Sequence, residues 1–231
     1  MLRCAFLAIL ALIATSDVLS AETKPPDSPP VAGSPSAEPA NAPEVMEDVQ
    51  IGDHWTYEFR DDITGDVKSI LTNTVTDVSG SQIGVKIARV GNANAGYLTF
   101  DRSWNLVNNG DWRYTPHDGG GIQAPLVAGK TWSFKGTDLN STAGFVGKRS
   151  GTSKVIAQES VTTPAGTFDT FKIETSVQIQ SSNDPTKKVQ VVQQTWYAPA
   201  IDHWVKRSFV SRSEARVREK TSVELVEYGR R

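Results

Sequence analysis

Cysteine is almost absent from this chain of 231 residues, whose only cysteine is Cys4. The body of the protein therefore has no disulfide and no thiolate to serve as a nucleophile or a metal ligand. Charge is nearly balanced, with a formal net charge of −2. The basic residues near the C-terminus alternate with glutamates and form no dense patch with stacking aromatics, so the sequence predicts no nucleic-acid partner.

The motifs of common catalytic and cofactor sites are missing as well. The chain contains no Gly-x-Ser-x-Gly elbow, and Gly119–Gly121 lacks the lysine and following helix of a phosphate-binding loop. The three histidines, His54, His117 and His203, each stand beside an aspartate. Adjacent side chains on a strand point to opposite faces, and no chelating spacing appears. The sequence predicts no catalytic residue, no metal and no cofactor, and a hydrolase with unrecognised residues ranks only third among the interpretations.

The N-terminus has the features of a secretory signal. Arg3 precedes an uncharged, mostly apolar run over Cys4–Thr15, and small residues follow near Ser20 and Ala21. The apolar run is too short to be a comfortable membrane span. We therefore predict that residues 1–21 are a cleavable signal peptide, that the mature chain has no stable membrane span, and that the protein is periplasmic or secreted.

The next segment, residues 22–48, is rich in proline, alanine and serine. It holds seven of the twelve prolines and six acidic residues, and it has no aromatic residue. Such a composition buries too little apolar surface to offset the entropy of ordering the chain. We predict a disordered acidic tail here and a single folded domain over residues 49–231.

The folded part has the periodicity of an all-β protein. Apolar and polar residues alternate along His54–Arg60 and again along Thr170–Gln180, which predicts half-buried strands of an antiparallel sheet. The β-branched content of Ser213–Tyr228 favours a strand over a helix. Asn109–Gly129 looks like a long, flexible loop. About ten to twelve strands are expected, in one curved sheet that forms an open or closed barrel, with a two-sheet sandwich as the alternative.

Two short patterns occur twice. Ile51–Tyr57 resembles Ala128–Phe134, since in each a glycine precedes tryptophan by three positions and an aromatic residue follows it by two. Tyr97–Trp104 and Tyr197–Trp204 share a tyrosine and a tryptophan seven positions apart. Either a duplicated sheet unit or chance recurrence of turn residues would explain these patterns.

Large aromatic side chains are concentrated on the predicted strands. They are core filling in one interpretation. In the other, a concave aromatic face lines a cavity for an apolar ligand, because such pockets are mainly apolar with few polar groups. The candidate ligand-binding residues are Trp55, Tyr57, Trp132, Phe134 and Phe171.

Three motifs carry a resemblance to a known group of proteins. Gly-Asp-x-Trp-x-Tyr begins at Gly52, Pro-Ala-Gly-Thr-Phe begins at Pro164, and Trp-Tyr-x-Pro begins at Trp196, before Val205-Lys206-Arg207. The pattern resembles bacterial exported proteins that belong to domain families of unknown function. Some members are similar to the open β-barrels of periplasmic lipoprotein carriers, which implies handling of hydrophobic ligands or lipoproteins.

The functional prediction follows from location, composition and resemblance together. We expect an exported, non-enzymatic binding protein for an apolar small molecule, a lipid-like ligand or an envelope protein. The alternative is a structural or adaptor module with a fully packed core, which would bind proteins through its edges or loops.

Overall fold

Twelve antiparallel strands close into a barrel in the computed structural model, which describes residues 46–116 and 119–230. Each strand pairs with its neighbour in sequence, and the first pairs with the last. The prediction of an all-β antiparallel barrel is confirmed in its closed form, and the two-sheet sandwich is not the arrangement found. The signal peptide and residues 22–45 of the predicted tail lie outside the described residues.

The strands in chain order are β1 His54–Asp61, β2 Val67–Val78, β3 Gln82–Arg89, β4 Ala95–Asp101, β5 Leu106–Asn108, β6 Trp112–Thr115, β7 Thr131–Asn140, β8 Phe145–Thr163, β9 Gly166–Ser181, β10 Lys188–Ala198, β11 His203–Ser213 and β12 Arg216–Gly229. A 3-10 helix, Pro199–Ile201, joins β10 to β11. No helix within the described part of the chain is long and apolar enough to cross a membrane.

The period-two alternation places one side chain of every adjacent pair inside the barrel. On β1, Trp55 and Tyr57 are 0% and 1% exposed. Tyr57 lies opposite Leu225 of β12, which is also fully buried, and the pairing of these two strands closes the barrel. The final segment is thus a strand, as its β-branched content predicted.

A buried ion pair joins the start of the barrel to its end. The Asp53 carboxylate is fully buried and accepts hydrogen bonds from Arg230 through Nε at 2.9 Å and through a terminal nitrogen at 3.1 Å. Met46, within the predicted tail, is also fully buried, and its amide donates to the carbonyl oxygen of Ala200 at 2.6 Å. Packing against the barrel therefore begins before Val49.

The expected loop over Asn109–Gly129 is wrong in part, because it contains strand β6. Gly120 and Gly121, which follow β6, pack closely against Ser103 and Asn105. A Cβ atom at Gly121 would lie 2.2 Å from the Ser103 carbonyl oxygen, and one at Gly120 would lie 2.5 Å from Oδ1 of Asn105. At Gly121 the backbone of Ser103 leaves no room for a side chain, whereas at Gly120 the side chain of Asn105 would have to move.

The first repeated sequence pattern forms the same glycine turn, followed by a strand, in both halves of the barrel. Gly52 and Gly129 have φ angles of 96° and 86°, and each turn leads directly into a strand, β1 or β7. The Gly52 amide donates to the carbonyl oxygen of Val75, and the Gly129 amide donates to that of Val155, both at 2.9 Å. Trp55 and Trp132 consequently occupy equivalent positions, half a barrel apart.

Candidate functional site

One end of the barrel interior is sealed by stacked rings, which we call the floor: Trp55, Tyr57, Trp104, His203 and Trp204. The His203 imidazole stacks on Trp55 with ring centroids 4.2 Å apart, and Trp104 meets Trp55 edge-on at 5.6 Å. Tyr57 and Trp204 stack at 6.1 Å. All five side chains are buried, so the floor is a packed core.

A hydrogen-bonded pair of polar groups lies within the floor. The Tyr57 hydroxyl donates to the carbonyl oxygen of Trp204 at 2.8 Å and lies 2.5 Å from Nδ1 of His203. Because the hydroxyl has only one proton, Nδ1–H of His203 donates to the tyrosine oxygen. Burial lowers the pKa of His203 well below its usual value, and nearby Arg207 lowers it further. His203 is therefore a neutral core residue.

A guanidinium group covers the lumen side of the floor. Cζ of Arg207 lies 3.3 Å from the centroid of the Trp204 ring, in cation–π contact. Arg207 of β11 pairs with Thr195 of β10 and Val223 of β12, both buried. Its Nε is buried without a hydrogen-bond partner. Burial lowers the pKa of Arg207 to about 9, and Tyr57 opposes that shift, so the group stays charged at neutral pH.

Beyond the floor, the inner surface becomes accessible. We call Phe59, Leu71, Phe134 and Val177 the lumen wall; their pairing partners place them on the inner face, and all four are half-buried. Gly96 lies opposite the inward-facing Ile87, and a Cβ atom added there would meet no atom within 4 Å. The barrel thus has a packed floor and an interior that solvent reaches.

A strip of hydroxyl and amide groups crosses the inner faces of β8, β9 and β10. Oγ of Ser153 lies 2.9 Å from Oγ1 of Thr175, and Nε2 of Gln193 donates to Oγ1 of Thr195 at 2.7 Å. Thr195 is the direct neighbour of Arg207. The strip therefore continues the polar character of the guanidinium into the lumen.

The five residues predicted from the sequence occupy three different places. Trp55 and Tyr57 form part of the floor and are inaccessible. Trp132 and Phe134 lie on the inner face of β7 and are half-buried, with the Phe134 ring over Gly151. Phe171 pairs with Tyr197, beside the 3-10 helix at the floor end of β9. The structure brings Trp132 and Phe134 together and leaves Phe171 away from them.

A second buried polar group lies on the far inner face of β7 and β8. Nε of Arg149 and Oδ1 of Asp138 are 3.0 Å apart in an ion pair that is not aligned as a hydrogen bond. The Arg149 guanidinium also stands 4.8 Å from the centroid of the buried Tyr114 ring. Burial raises the pKa of Asp138 to about 6, and the positive charge of Arg149 opposes that shift.

The barrel wall carries a concavity of about 640 Å³, which we call the outer groove. Polar residues of β7 to β10 and the turn between β11 and β12 line it, together with Phe134, Gly151, Val177 and Val189. Its charged lining residues are Lys135, Lys188, Arg212 and Glu214. The groove therefore combines mainly basic charged residues with apolar ones, among them Phe134, which is one of the five residues predicted from the sequence.

The histidines form no common site. His54 is the first residue of β1, where its Nδ1 lies 3.4 Å from the Gly52 carbonyl oxygen, and His203 is in the floor. His117 lies outside the described residues. Within residues 46–116 and 119–230, no group of three or more histidine, cysteine, aspartate or glutamate side chains could hold a metal ion.

Arg207 was missed at the sequence level although a signal for it exists. In the sequence, Arg207 stands two positions from both Val205 and Phe209, so strand periodicity places it on the same face as these apolar residues. A cation at an inward position of a strand is unusual and points to a binding role. The glutamates interleaved with the C-terminal basic residues suggested a solvated outer face instead.

Comparison with known proteins agrees with the motif resemblance. A family model described as DUF3108-like matches residues 149–207. The match spans most of β8 to the middle of β11 and includes the Pro-Ala-Gly-Thr-Phe and Trp-Tyr-x-Pro motifs. The predicted resemblance to a bacterial family of unknown function is confirmed there. No curated protein matches the sequence significantly.

Solved structures resemble the barrel at low sequence identity. A predicted lipoprotein from Parabacteroides distasonis ATCC 8503 is 15% identical, with a TM-score of 0.50, and the alignment covers 81% of this chain and 100% of that one. A predicted exported protein with a YmcC-like fold from Bacteroides fragilis NCTC 9343 is 16% identical, with a TM-score of 0.48 and coverage of 81% and 100%. The hypothetical lipoprotein YmcC from Escherichia coli K12 is 10% identical, with a TM-score of 0.46 and coverage of 77% and 85%. The first likeness shows a shared fold.

Proposed function

We propose that this protein is an exported, non-enzymatic binding protein that takes an apolar or lipid-like ligand into its barrel. The contrast along the interior carries this proposal. Trp55 and Tyr57 in the floor are 0% and 1% exposed, whereas Phe59 and Leu71, on the same inner surface, are half-buried. Accessible apolar surface inside a closed barrel is typical of a ligand site.

The location is part of the same proposal. The signal-like N-terminus and the resemblance to exported proteins and lipoproteins support a place in the bacterial envelope. Free lipids and detached acyl chains need protection from water in that compartment. A barrel whose one end is sealed by aromatic rings and whose wall is apolar supplies such protection.

Binding of a neutral fluorescent probe such as N-phenylnaphthylamine tests the proposal. We expect the wild-type protein to bind the probe and Phe134→Lys to lose most of that binding, because a charge would enter the apolar wall. Tyr97→Lys is the matched control, since Tyr97 is an aromatic residue of β4 that is 64% exposed. Circular dichroism would verify that both variants fold. A folded wild-type protein that binds no probe would refute the lumen as a ligand site.

The outer groove favours a second candidate function, that of an adaptor. Its basic residues Lys135, Lys188 and Arg212 would suit an acidic segment of an envelope protein. In that case, charge reversal at Lys135 would abolish partner binding while the interior contributes only stability. Retention of the partner by Lys135→Glu would exclude the groove as the contact.

A further inference from the structure

The most unusual charge in the barrel is the guanidinium of Arg207. Among the described residues, no carboxylate lies within ion-pair distance of it, and its buried Nε has no hydrogen-bond partner. Two other arginines form ion pairs, Arg149 with Asp138 and Arg230 with Asp53. Arg89, which lies opposite the inward-facing Leu71, donates instead to the carbonyl oxygen of Lys68 at 2.6 Å. Burying a charge without a partner is strongly unfavourable.

The surroundings of Arg207 define what would compensate it. The guanidinium lies over the Trp204 ring, with Cζ 3.3 Å from the ring centroid. Thr195 is the adjacent residue on β10, where the hydroxyl and amide strip begins. A planar guanidinium presents paired donors that match the oxygens of a carboxylate or a phosphate. The missing partner is therefore an oxyanion.

Apolar surface lies next to this cation on the lumen side. Phe59 is level with Arg207, because both pair with Val223 of β12. Phe59, Leu71 and the rest of the lumen wall are half-buried and apolar. A small inorganic anion would leave that wall exposed, whereas an amphiphile would cover it.

From this geometry we infer that the barrel selects anionic amphiphiles, with a carboxylate or phosphate group against Arg207 and an apolar chain along the lumen wall. The inference rests on the proposed function and adds the chemistry of the ligand headgroup. Carboxylates and phosphates share the recognition by guanidinium, and the two sources are separated by experiment.

The test compares ligands that differ only in charge. Titration calorimetry would measure binding of hexadecanoate and of its methyl ester to the wild-type protein below the critical micelle concentration. We expect hexadecanoate to bind about 10- to 100-fold more tightly, which is the range of a charge-assisted hydrogen bond. Lysophosphatidate in a third titration distinguishes a phosphate from a carboxylate headgroup, and tighter binding of either anion than of the ester supports the inference.

Two variants locate the anion. Arg207→Gln should reduce hexadecanoate affinity to that of the ester and leave ester affinity unchanged. Arg212→Gln, on the same strand but exposed in the outer groove, should change neither value. If Arg207→Gln does not fold, the comparison of hexadecanoate with its methyl ester on the wild-type protein still tests whether the barrel recognises an anionic headgroup.

The contradictory outcomes are distinct. Equal affinity of wild-type protein for hexadecanoate, lysophosphatidate and the methyl ester would overturn the role of Arg207 and leave the proposed function standing. Loss of anion binding in Arg212→Gln with no change in Arg207→Gln would place the anion outside the barrel and overturn the inference. Absence of binding for all three ligands would overturn the proposed function itself.

Discussion

Two equivalent tryptophans provide the sharpest test of the difference between floor and lumen. Trp55 and Trp132 follow the two glycine turns at the same spacing, so Trp→Ala removes the same side chain from matching places. Trp55 is fully buried and stacked on His203. We expect Trp55→Ala to lower the free energy of unfolding by about 3–5 kcal/mol, the usual cost of deleting a large buried aromatic side chain.

For Trp132→Ala we expect a loss of only about 1–2 kcal/mol. Part of the ring already contacts solvent, so less apolar surface leaves a buried environment. The indole Nε1 of each tryptophan is buried without a hydrogen-bond partner, so relief of that desolvation cost is common to both variants and does not explain the difference. The same change should weaken binding of the neutral probe while the protein stays folded, since Trp132 lies beside Phe134 on the inner face.

Urea unfolding followed by far-ultraviolet circular dichroism measures both losses without relying on tryptophan fluorescence. The m-value serves as the control, because an unchanged slope shows that both variants unfold from equally compact states. If Trp132→Ala costs as much as Trp55→Ala, the interior at β7 is packed. In that case the lumen is not a ligand site, and the adaptor function takes its place.

Three further predictions concern pH and packing. Burial lowers the pKa of His203, so the unfolded chain binds more protons than the folded protein below pH 6.5. The stability of the wild-type protein should therefore fall below that pH by up to about 1.4 kcal/mol per pH unit. His203→Gln should lack this slope, and equal slopes for both proteins would contradict the account. Burial raises the pKa of Asp138 to about 6, so the folded state takes up its proton first. Between pH 7 and pH 4, urea titrations should show wild type gaining about 2 kcal/mol relative to Asp138→Asn, and no difference would refute this. A Cβ atom at Gly151 would lie 2.3 Å from Cζ of Phe134, so Gly151→Ala should displace the ring and lower the free energy of unfolding by about 1–3 kcal/mol. Gly96→Ala should lower it little, because a Cβ atom there meets no atom within 4 Å. Equal effects of the two variants on the thermal midpoint would contradict this packing.

The fold was largely predictable because strand periodicity is a local signal. The alternation along His54–Arg60 and Thr170–Gln180, which lie in β1 and β9, predicted half-buried strands of an antiparallel sheet. The choice between barrel and sandwich was open, since it depends on the pairing of β1 with β12, which are separated by nearly the whole domain. No local pattern encodes a contact of that range.

The candidate site was harder to predict than the fold. The alternation of side chains along the strands indicated which aromatic residues point inward. It could not show that Trp55 packs in the floor while Trp132 lines the accessible interior. That distinction depends on residues of the connecting segments, such as Trp104 between β4 and β5, which packs edge-on against Trp55. Phe171 lies further along β9 than Thr175, which is level with Trp132, and the alternation of side chains carries no information on that separation.

Native mass spectrometry tests the central proposal most directly, on full-length protein purified without added lipid from the envelope or culture medium of the cells that make it. We predict that the mature chain carries one small, acid-containing apolar molecule, which is released on denaturation and is lost in Arg207→Gln. A folded wild-type protein that shows only the bare chain, or only complexes with other proteins, would contradict ligand binding in the lumen.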